Sequence, residues 1–208
     1  EIRAFITQEV NHTREHLVLN RIATENGYDM ARIDAGVADM LALTRGRPVI
    51  VDLAATMALE HFTAMFAHYF LADPRQLAGA DRQVADLWRW HAIEEIEHKA
   101  VAYDTWLHAT RNWSRWKRWK LKSLMMLIVT GRFVKNRVHD ALALLAQDGL
   151  TGPRVWLRLA GYLLWRPGIL RKLLPDWLAY FLPGFHPWNR DDRALIEQAG
   201  AMLPAPSA

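Results

Sequence analysis

Within nine residues, Trp90-His91-Ala92-Ile93-Glu94-Glu95-Ile96-Glu97-His98, the chain carries two histidines and three carboxylates, in a stretch that otherwise reads as a buried helix. At about 100° per residue, His91, Glu95 and His98 fall within about 60° of one another on one helical face. Glu94 lies at the edge of that face and Glu97 points away. Imidazoles and carboxylates turned toward a core are costly without partners, and a metal ion is the partner that suits both. Glu95 and His98 are therefore candidate ligands, with Glu94 the alternative to Glu95. His91 is either a third ligand or a hydrogen-bonding neighbour of one.

The same chemistry recurs upstream. Ile2, Phe5, Glu9, His12, His16 and Asn20 share a face of a helix predicted over 1–26 and closed by Asn26-Gly27. Glu9-Val10-Asn11-His12 is a Glu-x-x-His pair, and His16 follows one turn later as a ligand neighbour or a proton donor. Between the two clusters, Glu60 stands in the apolar run Met57-Ala58-Leu59-Glu60-His61-Phe62. Its face also carries Thr56, Thr63, Ala64 and Ala67, small side chains that are expected to leave a pocket beside the carboxylate. The alternative is a buried Glu60 held by a hydroxyl or an arginine. His61 lies about 100° from Glu60, so the two are not expected to face one point.

The expected metal set is Glu9, His12, Glu60, His91, Glu95 and His98, with His16 and Thr63 as candidate catalytic residues. Carboxylate-bridged dimetal bundles take a Glu from each of two helices and a Glu-x-x-His from each of the other two. In chain order this sequence supplies the last three of those four members. The first is expected from a helix upstream of Glu1, the chain reading as one that begins in mid-protein. Mixed carboxylate and imidazole ligands point to two metal ions, iron first, with manganese or zinc as alternatives.

The elements that must position these residues all follow a helical period, with no strand-like alternation. A second helix is predicted from the N-cap Asp29 to about Arg45 and a third from Pro48 to about Ala72, ended by Asp73-Pro74. A fourth runs unbroken from Asp81 to about Thr110. Beyond Asn112 a helix to about Gln147 is followed by shorter pieces at 153–165, 168–182 and 191–201, cut by Pro167, Pro175, Pro183 and Pro187. The predicted fold is all-α: a ferritin-like four-helix bundle in residues 1–112 with a helical extension over 113–208.

Composition agrees with a globular chain: 51% of the 208 residues are hydrophobic and 23% charged. There is no cysteine, which excludes disulfides, thiolate metal sites and cysteine nucleophiles. Residues 1–110 carry 10 basic and 16 acidic side chains, and residues 111–173 carry 14 and 2. In the basic part, Trp113, Trp116 and Trp119 alternate with Arg115, Lys117, Arg118, Lys120 and Lys122. This pattern resembles an interfacial anchor for anionic lipid through 113–134. The competing reading is a helix packed on the bundle with its charges solvated. The apolar run at 121–134 is too short to span a bilayer. No nucleic-acid-binding module and no secretory signal are visible. The expected location is cytoplasmic, peripheral on the inner membrane.

Four stretches resemble a bacterial family of predicted metal-dependent hydrolases: Gln8 to His16, Ala58 to Thr63, Trp90 to Asp104, and Gly184-Phe185-His186-Pro187-Trp188. The resemblance implies a ferritin-like helical bundle and an upstream helix with a Gly-Glu-x-Phe-Phe-like stretch, which is absent here. The spacing His91-x-x-x-Glu95-x-x-His98 is also similar to the third-histidine variant of di-iron arylamine N-oxygenases.

Two enzyme classes follow. The first expectation is a di-iron oxidase or oxygenase acting on a small apolar or lipid-like molecule with O2 and with electrons from an unidentified donor. The second is a dimetal hydrolase, with His16, His61 or His186 as proton donors. A non-catalytic, membrane-associated metal-binding protein is the third reading, and a homodimer is an expected assembly.

Overall fold

A computed structural model describes residues 1–42 and 46–204, with the side chains of 39–42 left aside. The helices are α1 (Ile2–Glu25), α2 (Ala31–Ala42), α3 (Val49–Ala72), α4 (Arg82–Glu97), α5 (Val101–Ala109), α6 (Arg115–Gln147), α7 (Pro153–Leu164), α8 (Ile169–Ala179) and α9 (Arg193–Gly200). Short 3-10 turns lie at Pro74–Leu77 and Pro187–Asn189. No strand occurs among the described residues, so the protein is an all-α bundle. The predicted end of α2 near Arg45 lies outside the described residues.

Local chemistry sets the boundaries. Asp81 accepts from Gln83 N at 2.8 Å and starts α4, and Ser114 accepts from Lys117 N at 3.2 Å and starts α6. Each such cap is worth about 1 kcal/mol. α1 ends where Asn26 bonds back to Ile22 O and Gly27, at φ 94°, takes the left-handed conformation that a Cβ would strain.

α3 is the axis of the bundle. It is long and apolar enough to cross a membrane by length and composition, yet it is packed by α4, α5, α6 and α8. Ala54 and Ala58 are fully buried and let neighbours approach closely, while Met57, Phe62 and Met65 fill the gaps. One core joins these residues to Tyr103 and Trp106 of α5, Met125, Met126 and Val129 of α6, Leu173 of α8, and Tyr180 and Phe185 beyond it.

Three sequence expectations are corrected. The helix predicted as continuous over 81–110 breaks at His98–Ala100, between α4 and α5. There the ladder shifts to i→i−3 bonds, Lys99 N to Ile96 O and Val101 N to His98 O. The tightened turn coincides with buried Lys99 reaching Asp192 Oδ2 at 2.6 Å and Arg190 O at 2.8 Å. Pro175 does not end its helix but lies inside α8. The small residues of α3 do not form one pocket beside Glu60. Ala67 packs against Ala92 and Ile96, using the missing volume for close helix contact, and Ala64 lines a cavity of about 250 Å³ with His61, Lys99 and Asp192.

α1 stands apart in character. Among its described residues only His12 is buried, and Ile2, Ile6, Val10 and Leu17 are exposed. Side-chain contacts tie its face to α4: Gln8 to Glu97 and His12 to Glu94. Just beyond its C-terminal end, Tyr28 OH donates to Asp148.

Candidate metal centre

α1 and α4 face each other through their polar stripes. Glu9, His12, Glu95 and His98 each offer a ligand atom, and these atoms all lie within 4.8 Å of one another. His12 Nδ1 is 3.2 Å from Glu95 Oε1 and 3.7 Å from Glu9 Oε1. His98 Nδ1 is 3.5 Å from Glu9 Oε1, and His98 Nε2 is 3.7 Å from Glu95 Oε2. The C-cap position of His98, φ −98° and ψ 4°, is the element-level reason that its ring reaches this cluster from the end of α4.

The cluster leaves several of its buried polar atoms without partners. His12, Glu95 and His98 are buried, yet His12 Nδ1 and both nitrogens of His98 have no hydrogen-bond partner. Buried imidazole nitrogens are rarely left in that state. A divalent cation accepts lone pairs from neutral imidazole and carboxylate together, so the donor set fits a metal.

Glu60 lies at the margin. Its Oε2 is 3.8 Å from His98 Nδ1 and, among the described residues, has no hydrogen-bond partner, so no hydroxyl or arginine among them holds that oxygen. Burial pushes its carboxyl up to about 8, with the charges of Glu95 and Glu9 adding to the effect. Glu60 is thus a second buried carboxylate, after Glu95, standing beside the four candidate ligands.

His91 Nε2 is 3.3 Å from Glu95 Oε1, and its ring lies 4.1 Å from that of His12. Burial holds it down to about 4, outweighing the Glu95 charge, so it is neutral. His16 sits further out. Its ring is 5.1 Å from His91, and burial and the nearby His12 lower its affinity for a proton. Thr63 donates its one hydroxyl proton to the Glu60 carbonyl at 3.0 Å, while Glu95 is held below its ordinary carboxylate range against the effect of burial, by His12 first and by the neighbouring Thr63 after it.

Glu94 has a role that spacing alone does not assign. It accepts from His12 Nε2 at 2.9 Å, which leaves Nδ1, facing Glu9 and Glu95, as the nitrogen open to a metal once its proton is displaced. Carboxylates in this position orient a ligand histidine and make it more basic. Its place at the edge of the helical face was the only sequence signal. Burial disfavours the charged form of His12, but Glu9 and Glu95 overcome this and raise its pKa to about 10. Phe5 closes the site from α1, its ring 5.0 Å from that of His98.

Two flagged histidines lie elsewhere. His61 bonds to the Asp176 carbonyl on the opposite side of α3. His186 pairs with Asp104 at 3.0 Å and accepts from Trp188 N, which makes it the cap of a turn.

A family model described as predicted metal-dependent hydrolase matches residues 1–191, a span that includes every residue of the cluster. No curated protein and no solved structure matches the chain.

Proposed function

This chain belongs to the family of predicted metal-dependent hydrolases, and we propose that it is a hydrolase whose metal is held by Glu9, His12, Glu95 and His98, with Glu60 and His91 completing a second position. The observation that carries this reading is the set of buried, unpartnered nitrogens of His12 and His98 among three carboxylates. A bound divalent ion supplies Lewis acidity and brings the ionisation of water toward neutral pH. The residues of the chain do the rest. Glu94 keeps His12 Nδ1 pointed inward. His91, neutral and beside Glu95, turns Nε2 toward that second position. His16, part-shielded beside His91 but open to solvent at the mouth of the site, carries protons between the site and water.

The test is metal analysis of the purified chain, followed by chelation, reconstitution with zinc, manganese or ferrous iron, and assay against ester, amide and phosphoester substrates. Hydrolysis that is lost on chelation, restored by one metal and absent in Glu95→Ala supports the proposal. A chain that carries no metal and hydrolyses none of these overturns it.

The di-iron oxidase or oxygenase reading takes second place. What favours it is Glu60, a second buried carboxylate 3.8 Å from His98, the residue type that bridges paired ions in helical bundles. Anaerobic loading with ferrous iron and exposure to O2 decides: O2 uptake with a di-iron optical band supports it, and zinc occupancy without O2 reaction removes it.

A further inference from the structure

α6 opens with Arg115, Lys117, Arg118, Lys120 and Lys122 within eight residues. Among the described residues the helix makes one ion pair, Arg137 with Asp140, so none of these five cations has a carboxylate partner. Lys117 and Lys120 turn outward and lie over Trp113 and Trp116, at 3.9 and 5.0 Å from the ring centres. Lys122 turns inward. It is only 4% exposed, its Nζ donates to Tyr180 O at 2.6 Å, and the rings of Tyr180 and Phe185 lie 4.8 and 5.0 Å away. The carbonyl takes one of its three protons and the rings lessen the cost of burial, but no anion neutralises it. Burial alone pushes this ammonium down to about 8.

Lys122 lines a groove of about 870 Å³ between α5, the first turns of α6 and residues 181–185. Small-molecule pockets span about 300–1,000 Å³. Arg115 and Arg118 stand with Lys122, while Trp106, Trp116 and Phe185 give the groove an apolar body. Two further buried donors at this groove have no acceptor, Trp106 Nε1 and Arg118 Nε. Trp119 donates to Phe181 O at 2.8 Å and ties the two walls together. A water molecule can accept from an orphan donor, but it leaves the cationic charge uncompensated. It also occupies only about 30 Å³ of such a space.

We propose that this groove binds an amphipathic organic anion, a single-chain carboxylate whose head is held by Lys122, Arg118 and the Trp106 indole N–H and whose apolar chain lies against Trp106, Trp116 and Phe185. The site is separate from the metal cluster, since no ligand candidate lines it. Occupancy therefore does not depend on which reaction the metal serves.

Calorimetric titration of the full chain with decanoate, decanol and decyltrimethylammonium tests it. Decanoate is expected to bind once per chain, about tenfold or more tighter than decanol, the value of hydrogen bonds to a charged group. The cationic amphiphile is expected not to bind. Lys122→Met should bring decanoate down to the level of decanol without weakening decanol. The double variant Lys117→Ala, Lys120→Ala should bind decanoate as the wild type does, because those cations face outward. Equal binding of decanoate and decanol, an unchanged Lys122→Met, or capture by anionic vesicles without binding of free decanoate would each overturn the assignment.

Discussion

Glu94 and His12 show how much of the centre depends on one hydrogen bond. His12 has a nitrogen on each side, and the Glu94 contact at 2.9 Å decides which is left for a metal. Glu94→Gln keeps an acceptor but removes the charge that makes the ring basic, so metal affinity should fall about 10–100-fold, read by competition with a chelating dye. Loss of the whole ligand in His98→Ala should abolish stoichiometric binding. The free cluster holds a proton on His12, whose pKa is raised to about 10 by Glu9 and Glu95 against the effect of burial. Metal has to displace that proton. Affinity should therefore rise as pH increases across the neutral range, with proton release visible as buffer-dependent heats of binding.

At the scale of the element, α6 holds the clearest conflict between stability and charge. Lys122 is expected to titrate near 10.5 when unfolded and near 8 when folded. Between these values the unfolded chain binds more protons, so stability rises with pH through that window. Below about pH 8 the penalty is fully present, on the order of 3 kcal/mol. Lys122→Met should thus be more stable than wild type at pH 7, by up to that amount, and the gain should shrink toward pH 10.5. Chemical denaturation at several pH values measures it. A lysine that weakens its own fold fits a role in binding better than one in packing.

Across the whole molecule, α1 is joined to the body mainly by the side chains of the candidate centre, while its apolar stripe at Ile2, Ile6, Val10 and Leu17 lies open. An ion bound between α1 and α4 would link the two and stabilise the folded state by mass action. Metal-loaded protein should melt higher than chelated protein, and limited proteolysis should cut within α1 only after chelation. The basic face adds a second expectation. Trp116, Leu124 and Leu127 are exposed along α6 beside Lys117 and Lys120. Sedimentation with anionic vesicles at low salt should carry the chain down, and raised salt should release it.

Helical periodicity placed the elements well, because an apolar stripe every 3.6 residues leaves few other ways to bury itself. The same periodicity brought Glu9 with His12, and Glu95 with His98, onto common faces, since neighbours on one helix are fixed by backbone geometry alone. It missed the turn at His98–Ala100, because that break accompanies Lys99 meeting Asp192, a partner 93 residues away. The Glu94 role was hidden for the same reason: its acceptor position becomes meaningful only when α1 lies against α4. Small residues on α3 read as room for a substrate, yet Ala67 permits helix contact, and packing density, not residue size, decides between the two. What the residues determined by themselves was the class of the fold and the chemical type of the centre. Tertiary structure alone decided which ligand atoms converge, which carboxylate orients rather than binds, and that Lys122 turns inward, since each of these depends on the approach of segments distant in the chain.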